Sequence, residues 1–159
     1  MLKSYDLMVS YRQALMDLPV SHVWTGYGAA LFLEFGAISP TTRRDGSPGQ
    51  GKGVVGLGTE WGWRIETTAA ILCGSDSDSG RWRTAFDRLM GRQVTGLDFL
   101  GQLPELELHL TGDLRLRTFT SAERQPQWSI FDRRTMPERW LHVEDGQIVE
   151  GVAVQTEFD

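Results

Sequence analysis

Apolar and polar residues alternate at every second position through most of this chain, a period satisfied by strands that bury one face. The longest such run is residues 54–66, where Val55, Leu57, Thr59, Trp61, Trp63 and Ile65 fall on one face. Gly56, Gly58, Glu60, Gly62, Arg64 and Glu66 fall on the other, so the run reads as one strand with an apolar face and a nearly bare one. The second half continues in kind, with alternating segments at 94–100, 105–110, 114–120, 127–131, 139–144 and 147–154 separated by turn residues. Leu106, Leu108 and Leu110 can share a face with Leu114 and Leu116 only across an odd-numbered loop. That predicts Thr111-Gly112-Asp113 as a three-residue hairpin loop, with His109 opposite Arg115 and Glu107 opposite Arg117. Asp145-Gly146 marks a two-residue turn. Earlier, Val20, His22 and Trp24, then Ala29, Leu31, Leu33 and Phe35, alternate around Gly26-Tyr27-Gly28 and predict a further hairpin; residues 69–73 add a short strand.

Two segments break the alternation with helical spacing. Leu7, Met8, Tyr11, Ala14, Leu15 and Leu18 predict a helix over 4–18, with Ser4 as N-cap and Pro19 beyond its end. Trp82, Phe86, Leu89 and Met90 predict a second over 80–91, capped by the Ser and Asp residues of 75–79. Residues 39–53 are rich in Gly, Pro and Ser and read as a flexible loop. The expected fold class is α+β, a mainly antiparallel sheet with two short helices, in one domain spanning 1–159. The halves also match each other. Leu15-Met16, Val20-Ser21 and Val23 correspond to Leu89-Met90, Val94-Thr95 and Leu97, and Leu31, Leu33, Phe35 to Leu106, Leu108, Leu110. Trp63-Arg-Ile65 corresponds to Trp128-Ser-Ile130, which suggests a tandem helix-plus-meander duplication with repeats at 4–78 and 79–154.

With 40% hydrophobic and 23% charged residues, a chain of 159 residues can bury a core without disulfides or a metal. The lone Cys73 cannot form an internal disulfide, no apolar run reaches the roughly 20 residues of a membrane span, and Asp6 interrupts the N-terminal segment. These features predict a cytoplasmic protein that does not engage a membrane. A formal charge of −5 argues against nucleic acid and for a basic protein partner.

The motifs that would carry cofactor chemistry stop short. Gly46-Ser-Pro-Gly-Gln-Gly51-Lys52-Gly53 resembles a phosphate-binding loop but has Gly53 where Ser or Thr would hold magnesium, and a strand follows it instead of a helix. Gly51-Lys-Gly53-Val-Val-Gly56 fits the dinucleotide fingerprint in letters only, since no helix opens there. Asp76-Ser-Asp78-Ser-Gly80 starts like a calcium loop, but Arg81 stands in the glycine position, so helix capping accounts for it better. Cys73 in an apolar strand reads as an inert buried thiol. His109 with Glu107 and Glu105, or His142 with Glu144, could offer metal ligands, yet charges at alternate positions are more often a solvated sheet face. No cofactor, no metal and no catalytic residue is therefore predicted.

Six tryptophans and the glycine face remain. Matching positions favour the core for Trp63 and Trp128. Glycine weakens a strand, so three at alternate positions call for close approach of something, either the protein's own helix or a partner. Fourteen of the sixteen basic residues are arginine, which suits bidentate pairing with carboxylates. The candidate binding residues are thus Gly58, Glu60, Trp61, Gly62 and Arg64.

The run Leu89-Met90-Gly91, Val94-Thr95, the alternating Leu106, Leu108 and Leu110, the turn at Gly112, Leu114-Arg-Leu116 and Trp128-Ser-Ile130 resembles small uncharacterised bacterial proteins. Some of these are candidate immunity proteins against secreted toxins. The resemblance implies an acidic, non-catalytic binder. The expected function is a non-enzymatic cytoplasmic protein-binding domain of the immunity type. The alternative is a small-ligand-binding or enzymatic domain whose site lies between two half-sheets and is lined by Trp61, Trp63 and His109.

Overall fold

The computed structural model describes residues 2–154 and arranges them as two helices and eleven strands. In chain order these are α1 (Leu2–Leu15), β1 (Val20–Thr25), β2 (Leu31–Phe35), β3 (Val55–Thr59), β4 (Trp63–Glu66), β5 (Ile71–Gly74) and α2 (Ser79–Leu89). Then follow β6 (Val94–Leu100), β7 (Glu105–Leu110), β8 (Leu114–Thr118), β9 (Trp128–Asp132), β10 (Arg139–Glu144) and β11 (Gln147–Val152). All named pairings are antiparallel, in a six-stranded sheet of order β1-β2-β3-β9-β10-β11 and a five-stranded sheet of order β5-β4-β8-β7-β6. The α+β class read from the sequence is therefore the class observed.

The inward residues of both sheets form one apolar cluster, including Leu31, Leu33, Phe35, Val55, Leu57 and Ile130 from one sheet and Ile65, Leu97, Leu106, Leu108 and Leu116 from the other. Helix α1 packs on β6, β9 and β11, strands of both sheets, through Tyr11, Ala14 and Leu15. Helix α2 packs on β5. Its Trp82 and Phe86 rings lie 5.7 and 6.2 Å from Trp63, and the Trp82 indole donates to the Gly74 carbonyl at 2.9 Å.

The hairpin registers follow the parity argument. Leu110 pairs with Leu114, His109 with Arg115 and Glu107 with Arg117, so the loop is Thr111-Gly112-Asp113. Glu144 pairs with Gln147, and Asp145 and Gly146 both have positive φ, 50° and 74°, as the primed two-residue turn requires.

Three expectations are corrected. Residues 54–66 are not one strand: β3 lies in the six-stranded sheet and β4 in the five-stranded one, separated by a crossover at Glu60, Trp61 and Gly62. Gly62 makes it possible, with φ 103° and no room for a Cβ against the Phe119 carbonyl oxygen. The alternation of β1 is broken by a bulge between Val20 and His22, which turns Val23 toward Leu33 and leaves His22 and Trp24 on the outer face. Ser4 lies inside α1, not at its N-cap, and Asp78 precedes α2 without a side-chain capping bond. Residues 39–53 form a loop without a strand or helix, crossed by main-chain bonds: Ser39 and Lys52 exchange two, at 2.8 and 3.0 Å, and the Arg43 N–H donates to the Ser47 carbonyl at 2.8 Å.

Contacts between the two halves are reciprocal. The Val20 N–H donates to the Arg92 carbonyl at 2.8 Å and the Val94 N–H to the Leu18 carbonyl at 3.0 Å. Pro19 and Gln93 face each other between them as an isolated antiparallel bridge. A bulge follows Val94 in β6 as one follows Val20 in β1. The Trp63 indole donates to Ala29, two residues before Leu31, at 2.6 Å; the Trp128 indole donates to Pro104, two before Leu106, at 2.9 Å. Each half also sends its next strand into the other half's sheet: β3 is followed by β4 beside β8, and β8 by β9 beside β3.

Candidate functional site

The crossover separates the residues singled out from the sequence. Gly58 stays on the outer face of the six-stranded sheet, Glu60 and Trp61 lie exposed in the turn, Gly62 is buried beneath Phe119, and Arg64 belongs to the outer face of the five-stranded sheet. They do not form one surface. Trp61 is held locally: its indole donates to Asp76 at 2.8 Å, and the Arg124 guanidinium lies 5.4 Å from its ring centre. Trp61, Trp63 and His109 do not converge on a site between half-sheets either. Trp63 is fully buried in the core, while His109 stands on the outer face of β7.

The surface that does assemble is the outer face of the six-stranded sheet. Strand pairing fixes two neighbouring rows across it. One runs Trp24, Phe32, Gly58, Ser129, His142; the other runs His22, Glu34, Gly56, Phe131, Trp140. Apart from the two glycines and Glu34, every one of these is half-buried. Trp24 and Phe32 stack with ring centres 4.1 Å apart and planes 12° apart.

The glycines are recesses for these rings. A Cβ on Gly58 would stand 2.8 Å from the Phe32 ring and 3.6 Å from that of Phe131. One on Gly151, opposite Trp140 on β11, would collide with the Trp140 indole. Close approach does explain the glycine face, but what approaches is the side chains of Phe32, Phe131 and Arg133 at Gly58 and Gly56 and the main chain of Phe119 at Gly62, not a crossing helix. At Gly56 the space is taken by Arg133, whose guanidinium lies 5.4 Å from the Phe131 ring centre and 3.2 Å from the Glu34 carboxylate. Glu34 is only 2% exposed, and Arg133 and the Gly53 N–H satisfy it.

Two polar atoms on this face lack partners. Among the described residues, four buried side-chain N or O atoms make no hydrogen bond: Trp24 Nε1, His142 Nδ1, Arg115 Nε and Arg133 Nε. The two arginine nitrogens lie within ion-pair distance of Glu66 and Glu138. The other two belong to the same row of the outer face. A buried polar atom left without a hydrogen-bond partner costs about 1–3 kcal/mol, and these two lie at either end of one row of this face. Beside His142 a cleft of about 320 Å³ opens, lined by Glu60, Gln127, Ser129 and Trp140. Glu60 has no ion-pair partner among the described residues, and Glu144 meets only His142, at 3.6 Å.

The five-stranded sheet supplies a comparison within the same molecule. On its outer face, Asp98, Glu107, Glu66, Arg115 and Arg117 take the positions that Trp24, Phe32, Phe131, Gly56 and Gly58 take on the other sheet, with His109 and Arg64 beside them in the places of Glu34 and Ser129. These charges pair with one another. His109 meets Asp98 at 2.8 Å, Arg115 meets Glu66 at 3.3 Å, and Arg64 meets Glu66 at 2.8 Å. That is a hydrated face, and the aromatic one is its opposite in chemistry.

Sequence reasoning missed Trp24, Phe32, Phe131, Trp140 and His142 as a group. The signal existed in the alternation of Phe131 with Ile130 and of Trp140 with Leu141, which puts large aromatics on what should be the wet side of a strand. No protein-family model, no curated protein and no solved structure matches this chain.

Proposed function

We propose that this chain is a non-enzymatic protein-binding domain that docks a basic protein on the outer face of its six-stranded sheet. The observation that carries the reading is the half-buried aromatic face, with two unpartnered polar atoms, set against a charge-paired face on the other sheet. Tryptophan, tyrosine and arginine dominate binding hot spots because they bury much area with little side-chain entropy. Two stacked rings, one of them over Gly58, and an indole over Gly151 make a pre-ordered platform. The carboxylates of Glu60 and Glu144 stand at its border without an arginine partner, and with the net charge of −5 they favour a positively charged partner. An immunity-type role, binding a basic toxin in the cytoplasm of a bacterium, fits this chemistry and the resemblance carried by the strand pattern. We take the two halves as diverged copies of a helix-plus-meander unit, a reading supported by their reciprocal bonds and matching bulges; each sheet combines strands of both copies.

The alternative, a small-ligand site, finds its support in the cleft of Glu60, Gln127, Ser129, Trp140 and His142. Affinity capture with three baits separates the readings: wild type, Phe131→Asp, and Arg117→Ala on the opposite sheet. The proposal expects one basic protein held by wild type and Arg117→Ala and lost from Phe131→Asp, then reproduced with the purified partner. Equal capture by all three baits contradicts it.

A further inference from the structure

We propose that Asp98, Glu107 and His109, on the outer face of the five-stranded sheet, form a binding site for a divalent transition metal of the zinc type. The site is independent of the docking face, since it lies on the other sheet. Its donors come from two adjacent strands in fixed register, Asp98 opposite Glu107 and Gly96 opposite His109. Glu105, the other carboxylate on β7, is directed elsewhere, toward Thr118 Oγ1 at 2.5 Å and the Thr120 N–H at 3.0 Å. Asp98, distant in sequence, takes its place.

The geometry is that of three ligands around one point. His109 Nε2 lies 2.8 Å from Asp98 Oδ2 and 3.3 Å from Glu107 Oε1, and the three donor atoms all lie within 4.8 Å of one another. Tetrahedral ligands about 2.0–2.2 Å from a metal sit roughly 3.3–3.6 Å apart, so the Nε2–Oε1 pair already has this spacing and the Nε2–Oδ2 pair needs to open by roughly half an ångström from its hydrogen-bond distance. Arg117 Nη1 stands 3.7 Å from the second oxygen of Glu107, so it holds that carboxylate from behind and leaves Oε1 toward the histidine. Gly96 lies opposite His109 on the neighbouring strand, and its Cβ position is in ordinary contact with the imidazole Cδ2 at 3.5 Å. A neutral imidazole can give its one Nε2 proton to only one of the two carboxylates. A divalent ion in place of that proton satisfies all three donors at once, and one nitrogen with two carboxylate oxygens suits zinc, with nickel and copper as competitors. Open coordination positions face solvent, since Asp98 is 57% exposed at its side chain.

The test is a calorimetric titration of untagged, metal-free protein with zinc chloride, with thermal midpoints measured in parallel. One zinc per chain is expected, with a rise in midpoint, because an ion that binds only the folded state stabilises it. Asp98→Asn and His109→Ala should each weaken binding at least tenfold and abolish the rise. Glu144→Gln, which alters the His142 pair, should bind as wild type. Circular dichroism confirms that each variant is folded; for any that is not, Glu107→Gln takes its place. No binding by wild type, or binding that survives both Asp98→Asn and His109→Ala, overturns the proposal.

Discussion

Four tryptophans of this chain illustrate how position decides the role of one residue type. Trp63 and Trp128 are each 1% exposed, with their indole N–H groups satisfied by main-chain carbonyls. Replacing either by alanine should cost about 3–5 kcal/mol in urea denaturation, as loss of a buried aromatic does. Trp24 and Trp140 are half-buried on the outer face, so Trp140→Ala should cost about 1 kcal/mol or less by the same measurement. Gly58→Val must displace the Phe32 ring from its stack on Trp24, and a loss of about 1–3 kcal/mol is expected. Unchanged stability of that variant would show that the rings do not rest on the glycine. Burial pushes the Cys73 thiol up to about 11. Native protein should therefore leave a thiol reagent unreacted at pH 8, and denatured protein should consume one equivalent.

At the level of elements, the two helices end alike and differ in one residue. Asp17 follows α1 with φ 66°, and Gly91 follows α2 with φ 79°. Both donate to a main-chain carbonyl of the opposite half, Val94 and Val20. Glycine adopts this left-handed conformation without strain and aspartate does not, so Asp17→Gly should raise stability and Gly91→Ala lower it, each by about 1 kcal/mol. Thermal midpoints of the two variants check the sign. The strands from β6 onward were legible in the sequence because turn residues bound them and loop parity fixed their register. The split of residues 54–66 was not, because Trp61 keeps the apolar phase across the break while the chain changes sheets. The bulge after Val20 hid the outer aromatics for a related reason: one extra residue reverses the faces, and a strict period of two assigns Trp24 inward. Asp98 joins His109 only through strand pairing, and a reading confined to one strand offered Glu105 in its place.

For the whole molecule, the central fact is an asymmetry between two outer faces built on matching registers. One carries mutually paired charges, and the other carries Phe32, Phe131 and Trp140 over glycine, with Trp24 stacked on Phe32. The inward residues do not differ in this way, and the proposed docking on one face accounts for the difference. Association through the aromatic face should follow hot-spot energetics, with one or two rings supplying most of the affinity and paired charges of the other face supplying little. The most direct test is the dissociation constant of the purified partner for wild type, Trp140→Ala and Arg117→Ala, each confirmed as folded. Trp140→Ala should weaken binding roughly 30-fold, a change of about 2 kcal/mol, and Arg117→Ala less than threefold. Tight binding retained by Trp140→Ala and lost by Arg117→Ala would place the partner on the charged sheet and contradict the account.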